Sequence, residues 1–231
     1  MAAAGFDNER SRFTAFENLT SNLHDPYRVI PKVLNEGDEP YVLFIHQDVL
    51  TDQGNTFDDL IAALDLLTQR DPHWAIVGNG GADRWGNLVL CLDDPNGSHR
   101  AANLPRRVIS LDENFLLFRR SRPVELSPDL KGFHFYGTDV CLQAHRKGWH
   151  AYVIDFPVTH LSAGDTSSQG FLAGRSSFAA TWRKRLLVGL IYTTCTELRI
   201  SRFSWIENLL HRKHIAWWLR KLNWPIVNMP I

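Results

Sequence analysis

The stretch YVLFIHQDV, residues 41–49, joins five β-forming apolar residues to a polar tip. A continuous apolar run of this kind predicts a buried strand, and buried runs are typical of parallel sheets that helices cover on both faces. In open sheets of that type, ligands bind just beyond the carboxyl ends of the strands. His46 and Asp48 stand at such an end, where a ligand or cation could bind, although a polar pair there also suits an ordinary turn.

The composition of the 231 residues is that of an ordinary globular protein. The length fits one domain, or one domain with an appendage, and hydrophobic and charged fractions of 44% and 22% exclude disordered and collagen-like classes. The formal net charge is zero, so the global charge predicts no nucleic-acid partner. Cys91, Cys141 and Cys195 lack C-x-x-C spacing, which favours buried reduced thiols over a disulfide framework or a zinc knot.

No targeting or membrane-spanning segment is predicted. The first ten residues contain no apolar core of signal-peptide length. The longest late apolar stretch, residues 186–192, is far shorter than the roughly 20 residues that a membrane span needs. We therefore expect a cytoplasmic protein.

Predicted strands and helices alternate along the chain. The strands are 41–49, 74–78, 87–92, 115–119 and 151–154, and the helices are 29–37, 57–69 with Thr56 as its cap, and 139–147, with a helical and basic pattern from Gly170 onward. Such alternation is typical of an α/β protein with a mixed or parallel sheet.

Four segments together resemble the bacterial family 2-like glycosyltransferases, which are sugar transferases with the GT-A fold. They are FIHQDV at 44–49, LDENFLLFRR at 111–120, FHFYGTDVCL at 133–142, and YVID at 152–155 followed by VTH at 158–160 and SAG at 162–164. Their order and spacing fit the family from about residue 29 to about residue 185. The resemblance implies an α/β, GT-A-like (Rossmann-like) mixed sheet flanked by helices.

The start of the chain departs from that family. A strand–helix–strand unit that holds the nucleotide base takes roughly 30 residues or more, and only a polar leader precedes Val29. We therefore expect the nucleotide-binding half to be missing or vestigial, with Asp7-Asn8 as its remnant. The resulting division is a leader or remnant at 1–28, a GT-A-like domain at 29–185, and an amphipathic basic and aromatic helical tail at 186–231.

The resemblance also implies roles for particular residues. Asp48, His46 and His160 would hold a divalent cation, Mn²⁺ or Mg²⁺, and Asp139 would be the general base that activates the acceptor. The residues expected to bind substrate are Gln47, Asp112, Glu113, Tyr136, Gly80 and Gly81.

Structural explanations for these residues stay open at this point. Asp139 also suits a helix cap, and His160 a strand-end histidine bonded to backbone. Asp112 and Glu113 equally suit a surface turn, and Gly80 with its neighbours an ordinary loop.

The C-terminal segment is strongly basic and aromatic. Between Trp182 and Lys221 lie nine Lys and Arg residues and only two Glu residues. The interleaved aromatic residues include Phe203, Trp205, Trp217, Trp218 and Trp224. This pattern suits an anionic membrane surface, which would place the protein on the inner face of the membrane, or else a terminal helix whose Trp face packs on the domain.

Three functional hypotheses result. The first is a metal-dependent, inverting glycosyltransferase that moves a sugar from a nucleotide-sugar donor to a cell-envelope glycan or lipid-linked acceptor; inversion is implied by the resemblance alone. The second is an iron-dependent oxygenase, because His46-x-Asp48 with a distant His160 is formally a 2-His-1-carboxylate triad. The third is a non-catalytic, glycosyltransferase-like binding module. None of them involves nucleic acid.

Overall fold

The computed structural model describes residues 4–7, 9–18, 23–221 and 227–228 and contains both helices and strands. The described helices are α1 (Pro26–Asn35), α2 (Phe57–Arg70), α3 (Tyr136–Arg146), α4 (Gln169–Arg183), α5 (Ser204–Leu210) and α6 (Lys213–Lys221). The described strands are β1 (Tyr41–Ile45), β2 (Val49–Leu50), β3 (Trp74–Gly78), β4 (Gly80–Ala82), β5 (Leu88–Asp94), β6 (Gly97–Arg100), β7 (Arg106–Val108), β8 (Ser110–Leu111), β9 (Phe115–Arg119), β10 (His150–Val153), β11 (Val158–His160), β12 (Val188–Tyr192), β13 (Glu197–Ser201) and β14 (Val227–Asn228).

A five-stranded mixed sheet forms the centre of the fold, in the order β1-β9-β3-β10-β7. Strands β1, β9 and β3 pair antiparallel, β3 pairs parallel with β10, and β10 pairs antiparallel with β7. The α/β class with a mixed sheet is therefore confirmed.

Two further sheets lie beside the central one. The first has the order β2-β11-β5-β4-β8, with β6 paired to β5, and the second has the order β13-β12-β14. In the first of these, β11 runs parallel to β5 and antiparallel to β2. This bridging position of β11 brings the chain around residue 160 next to the end of β1.

Strand β1 differs from its prediction in both direction and position. It is an edge strand, it ends at Ile45 and not at Val49, and its one partner among the described residues is β9, antiparallel. All five of its residues are half-buried. The apolar run has another cause: Val42 and Phe44 pack into one hydrophobic cluster, while Tyr41, Leu43 and Ile45 pack into another. The strand is apolar throughout because hydrophobic side chains pack against both of its faces, and not because it pairs in parallel.

Those two hydrophobic clusters occupy opposite faces of the central sheet. One contains residues of α3 and α4, such as Val140 and Trp182, and the other contains Leu60, Leu64 and Leu67 of α2. Helix α2 begins as predicted, at a capping box. The hydroxyl of Thr56 accepts a hydrogen bond from the backbone N–H of Asp59, and the carboxylate of Asp59 accepts one from the backbone N–H of Thr56.

Helix α3 begins three residues earlier than predicted, at Tyr136. Phe135, just before it, is buried and has a left-handed backbone with φ of 67°. A Cβ on Gly137 would collide with the carbonyl oxygen of Leu111, so only glycine lets α3 start this close to β8. Asp139 consequently lies one turn inside the helix and does not cap it.

The prediction of a helical tail from residue 186 is wrong for its first part. Residues of β12 and β13 form an antiparallel hairpin in which Leu190, Ile191 and Ile200 are buried, and helices α5 and α6 follow it. Trp224 and Asn8 lie outside the described residues. In the part of the chain that the structure describes, no helix is both long and apolar enough to cross a bilayer.

Asp71, at the end of α2, ties that helix to β10. Its Oδ2 lies 2.6 Å from Nδ1 of His150 and accepts a hydrogen bond from the Tyr152 hydroxyl at 2.8 Å. Burial by itself would raise the pKa of Asp71, but the hydrogen bonds from His150, the His73 backbone and Tyr152 outweigh it, so the pKa lies below its ordinary value of 3.8.

We expect Asp71→Asn to lower the free energy of unfolding by roughly 1–3 kcal/mol at pH 7. Because the folded-state pKa is depressed, this contribution is complete above the unfolded-state pKa and is lost as the pH falls through the folded value. Urea unfolding between pH 7 and pH 3 measures it. Asp65→Asn, at an exposed position of α2, serves as control; a gap between wild type and Asp71→Asn that widens at low pH would contradict the assignment.

Candidate metal centre

Three predicted ligands meet at the end of β1. One ligand atom from each of His46, Asp48 and His160 lies within 4.8 Å of the other two. The local pairing explains this, because His160 in β11 is opposite Val49 in β2 and the N–H of Leu161 donates to the carbonyl oxygen of Asp48 at 2.9 Å. The Nε2 atom of His160 lies 3.4 Å from Oδ2 of Asp48.

The charge state of this cluster suits a cation. Burial raises the pKa of Asp48, but a hydrogen bond from Ser162 and the charge of His160 outweigh it, so the pKa lies below its usual range. Partial desolvation lowers the pKa of His46, although the charges of Asp48 and Asp112 oppose that shift. An ionised carboxylate and a neutral imidazole are the forms that bind metal ions.

Tyr136 fixes the orientation of the His46 ring. Its hydroxyl lies 2.7 Å from Nε2 of His46 and donates to the carbonyl oxygen of Glu113 at 3.3 Å. The backbone N–H of His46 donates to the carbonyl oxygen of Asn114 at 3.0 Å, which holds the main chain at this residue. Hydrogen bonds of this kind to the second nitrogen of an imidazole orient a metal ligand and set its tautomer.

Two acidic residues, Asp112 and Glu113, lie in the turn between β8 and β9, and the charge of Asp112 acts on His46. Glu113 is half-buried, and its Oε1 accepts a hydrogen bond from the N–H of Gly137 at 3.3 Å. Burial and the neighbouring charge of Asp112 raise the pKa of Glu113 to about 8. Asp112 accepts a hydrogen bond from the hydroxyl of Thr194 at 3.2 Å, so the β12–β13 turn reaches the site.

The donor set fits some divalent cations better than others. Two imidazoles and one carboxylate match a transition ion such as Mn²⁺ better than Mg²⁺, which prefers a shell made only of oxygen ligands. His46 and the adjacent Gln47 are exposed, so a dissolved ion or a substrate can reach the cluster.

Gly80 and Gly81 have a structural role that differs from the predicted one. Both are buried in strand β4, which pairs with β5 and β8, and they do not form a loop open to substrate. A Cβ on Gly81 would collide with the carbonyl oxygen of Ser110. These glycines permit close strand packing, and their backbone is already committed to the sheet.

Asp139 does not join the cluster, and its prediction as a catalytic base is corrected on that ground. Its side chain is completely buried and accepts hydrogen bonds from Ser127 N at 2.7 Å, Ser127 Oγ at 2.6 Å and Trp182 Nε1 at 2.8 Å. Burial raises the pKa of Asp139, although these bonds and the nearby Arg185 oppose that shift. A carboxylate enclosed in this way holds α3 and α4 together and cannot touch an acceptor hydroxyl.

Two participating side chains are absent from the sequence-based assignment. Ser162 lies two residues after His160 and contacts its Nε2 at 3.1 Å, so the SAG segment already pointed to it. Thr194 is 82 residues away from Asp112 and reaches it only through the unpredicted hairpin. No local signal could have identified Thr194.

We expect Asp139→Asn to lower the free energy of unfolding by roughly 1–3 kcal/mol, because the amide nitrogen would face donors where an oxygen now accepts. Thermal or urea unfolding measures the loss, with Asp65→Asn as an exposed control of the same chemistry. If Asp139→Asn proves as stable as wild type but is inactive, the structural role is refuted and the catalytic role is restored.

Comparison with known proteins places the chain in a family. No model of a protein family matches it. It is similar to the protein called "ATP synthase subunits region ORF 6" from Fuscovulum blasticum, with 38% identity over 189 residues, which cover 78% of this chain and 74% of that relative. The name of the relative states no substrate or activity. At this identity and coverage, the chain belongs to the same family as the ORF 6 protein of Fuscovulum blasticum.

Proposed function

We propose that the protein is a metal-dependent glycosyltransferase that uses a nucleotide-sugar donor and a cell-envelope glycan or lipid-linked acceptor. The observation that carries this proposal is the meeting of His46, Asp48 and His160 within 4.8 Å at the end of β1. The three residues belong to the segments that resemble family 2-like glycosyltransferases, and they come together from positions up to 114 residues apart (160 − 46).

The cluster would supply the electrostatic part of the reaction. His46, Asp48 and His160 would hold a divalent cation, which would offset the negative charge that develops on a diphosphate leaving group. The lowered pKa of Asp48 favours its ionised form, while Tyr136 holds the imidazole of His46 in place. Gln47 and Asp112, at the edge of the cluster, are the groups best placed to bind hydroxyls of the sugar or acceptor.

Glu113 is the general base in this proposal, in place of Asp139. Its pKa of about 8 lies near neutrality, where a base both accepts a proton readily and remains partly ionised. The acceptor oxygen attacks the anomeric carbon, the bond from that carbon to the diphosphate oxygen breaks, and the acceptor proton passes to Glu113. A single displacement of this kind inverts the anomeric centre.

A second candidate is an iron-dependent oxygenase, because the cluster contains two imidazoles and one carboxylate. This donor set is also that of non-haem iron sites with open positions. Iron-dependent turnover of 2-oxoglutarate, without sugar transfer, would favour this alternative.

An anionic membrane surface is the proposed docking partner, and it suits a lipid-linked acceptor. The basic–aromatic surface consists of exposed Phe203, Trp205, Leu209, Trp217 and Trp218 on and beside α5 and α6, with exposed Arg202, Arg212 and Lys221. Lys221 lies over the Trp217 ring with Nζ 4.8 Å from its centroid. Exposed tryptophans beside cationic groups are typical of interfacial binding.

The proposed roles of Asp48 and Glu113 predict that metal binding and sugar transfer are lost in different variants. Asp48→Asn should weaken Mn²⁺ binding at least about tenfold, because the cluster loses the one carboxylate among its three ligands. Glu113→Gln should bind Mn²⁺ and nucleotide diphosphate as wild type does and yet transfer no sugar. Calorimetric titration measures binding, and a panel of nucleotide sugars with a polyprenyl-phosphate-linked glycan acceptor measures transfer.

Asp65→Asn is the control in both assays and should behave as wild type. Retained transfer in Glu113→Gln would remove that residue as the base. Binding of Mn²⁺ and nucleotide without transfer to any acceptor would favour a non-catalytic binding module.

The basic–aromatic surface predicts binding to lipid vesicles. Replacing Trp205, Trp217 and Trp218 by Ser should weaken co-sedimentation with vesicles of phosphatidylglycerol by roughly tenfold or more, and added salt should weaken binding of the wild type. The double variant Leu66→Ser, Leu172→Ser, at exposed apolar positions elsewhere, should bind normally. Absence of wild-type binding at any salt concentration would remove the membrane from the proposal.

A further inference from the structure

A cavity lies at the edge of the central sheet that is opposite β1. It has a volume of about 410 Å³ and is lined by residues of β7, α3 and β10 and by Arg84 and Trp85. Small-molecule sites commonly enclose about 300–1,000 Å³. Since β1 and β7 are the two edge strands of the five-stranded sheet, this cavity is separate from the metal centre.

Positive charge is concentrated around the cavity. Arg84 and Arg107 line it together with His145 and His150, and neither arginine pairs with a carboxylate among the described residues. The acidic neighbours have other partners: Asp83 pairs with Arg106 at 3.0 Å, and Asp71 pairs with His150 at 2.6 Å.

The same charges converge on one side chain of α3. Burial lowers the pKa of His145, and the charges of Arg107, His150 and Arg84 lower it further. An anion in the cavity would meet the guanidinium groups of Arg84 and Arg107, and guanidinium groups bind carboxylate and phosphate through paired hydrogen bonds.

Aromatic and aliphatic side chains form much of the remaining lining. Trp85 and Trp149 contribute indole rings, and Ile109 and Leu142 contribute aliphatic surface. The Nε1–H of Trp149 is buried and has no hydrogen-bond partner within the described part of the chain. A buried donor without an acceptor is costly, and an oxygen of a ligand in the cavity could satisfy it.

We propose that this cavity binds a small aromatic molecule that carries a phosphate or carboxylate group. The ring lies against the apolar lining that includes Ile109 and Leu142, and the anionic group lies between Arg84 and Arg107. This is a binding site beyond the sugar-transfer reaction, and it does not depend on that reaction.

The test is a calorimetric and ligand-observed NMR titration of the full chain in buffer with EDTA, which keeps the metal centre free of cations. The probes are adenosine 5′-monophosphate and 4-hydroxybenzoate, each compared with its uncharged counterpart, adenosine or phenol. We expect at least one anion to bind about tenfold more tightly than its counterpart, and the probe that binds distinguishes phosphate from carboxylate as the recognised group.

Arg84→Gln and Arg107→Gln should each weaken binding of that anion by about tenfold. Arg146→Gln, an exposed arginine of α3 that does not line the cavity, is the matched control and should bind as wild type. Both cavity arginines are exposed, so their variants should unfold at the wild-type temperature. Absence of binding by both anions, equal binding of the uncharged compounds, or equal effects of all three substitutions would overturn the proposal.

Discussion

The short pairing of β2 with β11 is the interaction on which the candidate site depends. It sets His160 opposite Val49 and lets the N–H of Leu161 bond to the carbonyl oxygen of Asp48. Successive side chains of a strand point to opposite faces, so a slip of one residue in this register would turn His160 away from Asp48. The parallel pairing of β11 with β5 holds that register from the other side.

Two acidic side chains of this protein, Asp139 and Glu113, differ in their burial and in their hydrogen-bond partners. Asp139 has three donors from Ser127 and Trp182, and these bonds hold α3 against α4. Burial and the neighbouring charge of Asp112 raise the pKa of Glu113 to about 8, although hydrogen bonds from backbone N–H groups oppose that shift. A carboxylate enclosed by donors contributes to stability, whereas a carboxyl group with a strongly raised pKa is typical of functional sites.

Most of the element pattern could be predicted because it depends on local signals. The capping box at Thr56 marks the start of α2, and compact apolar runs mark β3 and β9. The direction of β1 could not be predicted. An apolar run indicates that both faces of the strand are covered, but it does not indicate whether the strand pairs in parallel or antiparallel. The hairpin after residue 186 was missed because its apolar residues allow a buried strand and a buried helix equally well.

Local sequence patterns specify the α/β class, the polar tip at His46 and Asp48, and the basic and aromatic character of the C-terminal segment, because each depends on residues that are close together in the chain. Long-range packing brings His160 to that tip, encloses Asp139 in the core and places Gly81 against a strand. Those outcomes depend on contacts between residues far apart in the chain. Strand register and helix packing set such contacts, and neither of them leaves a local pattern in the sequence.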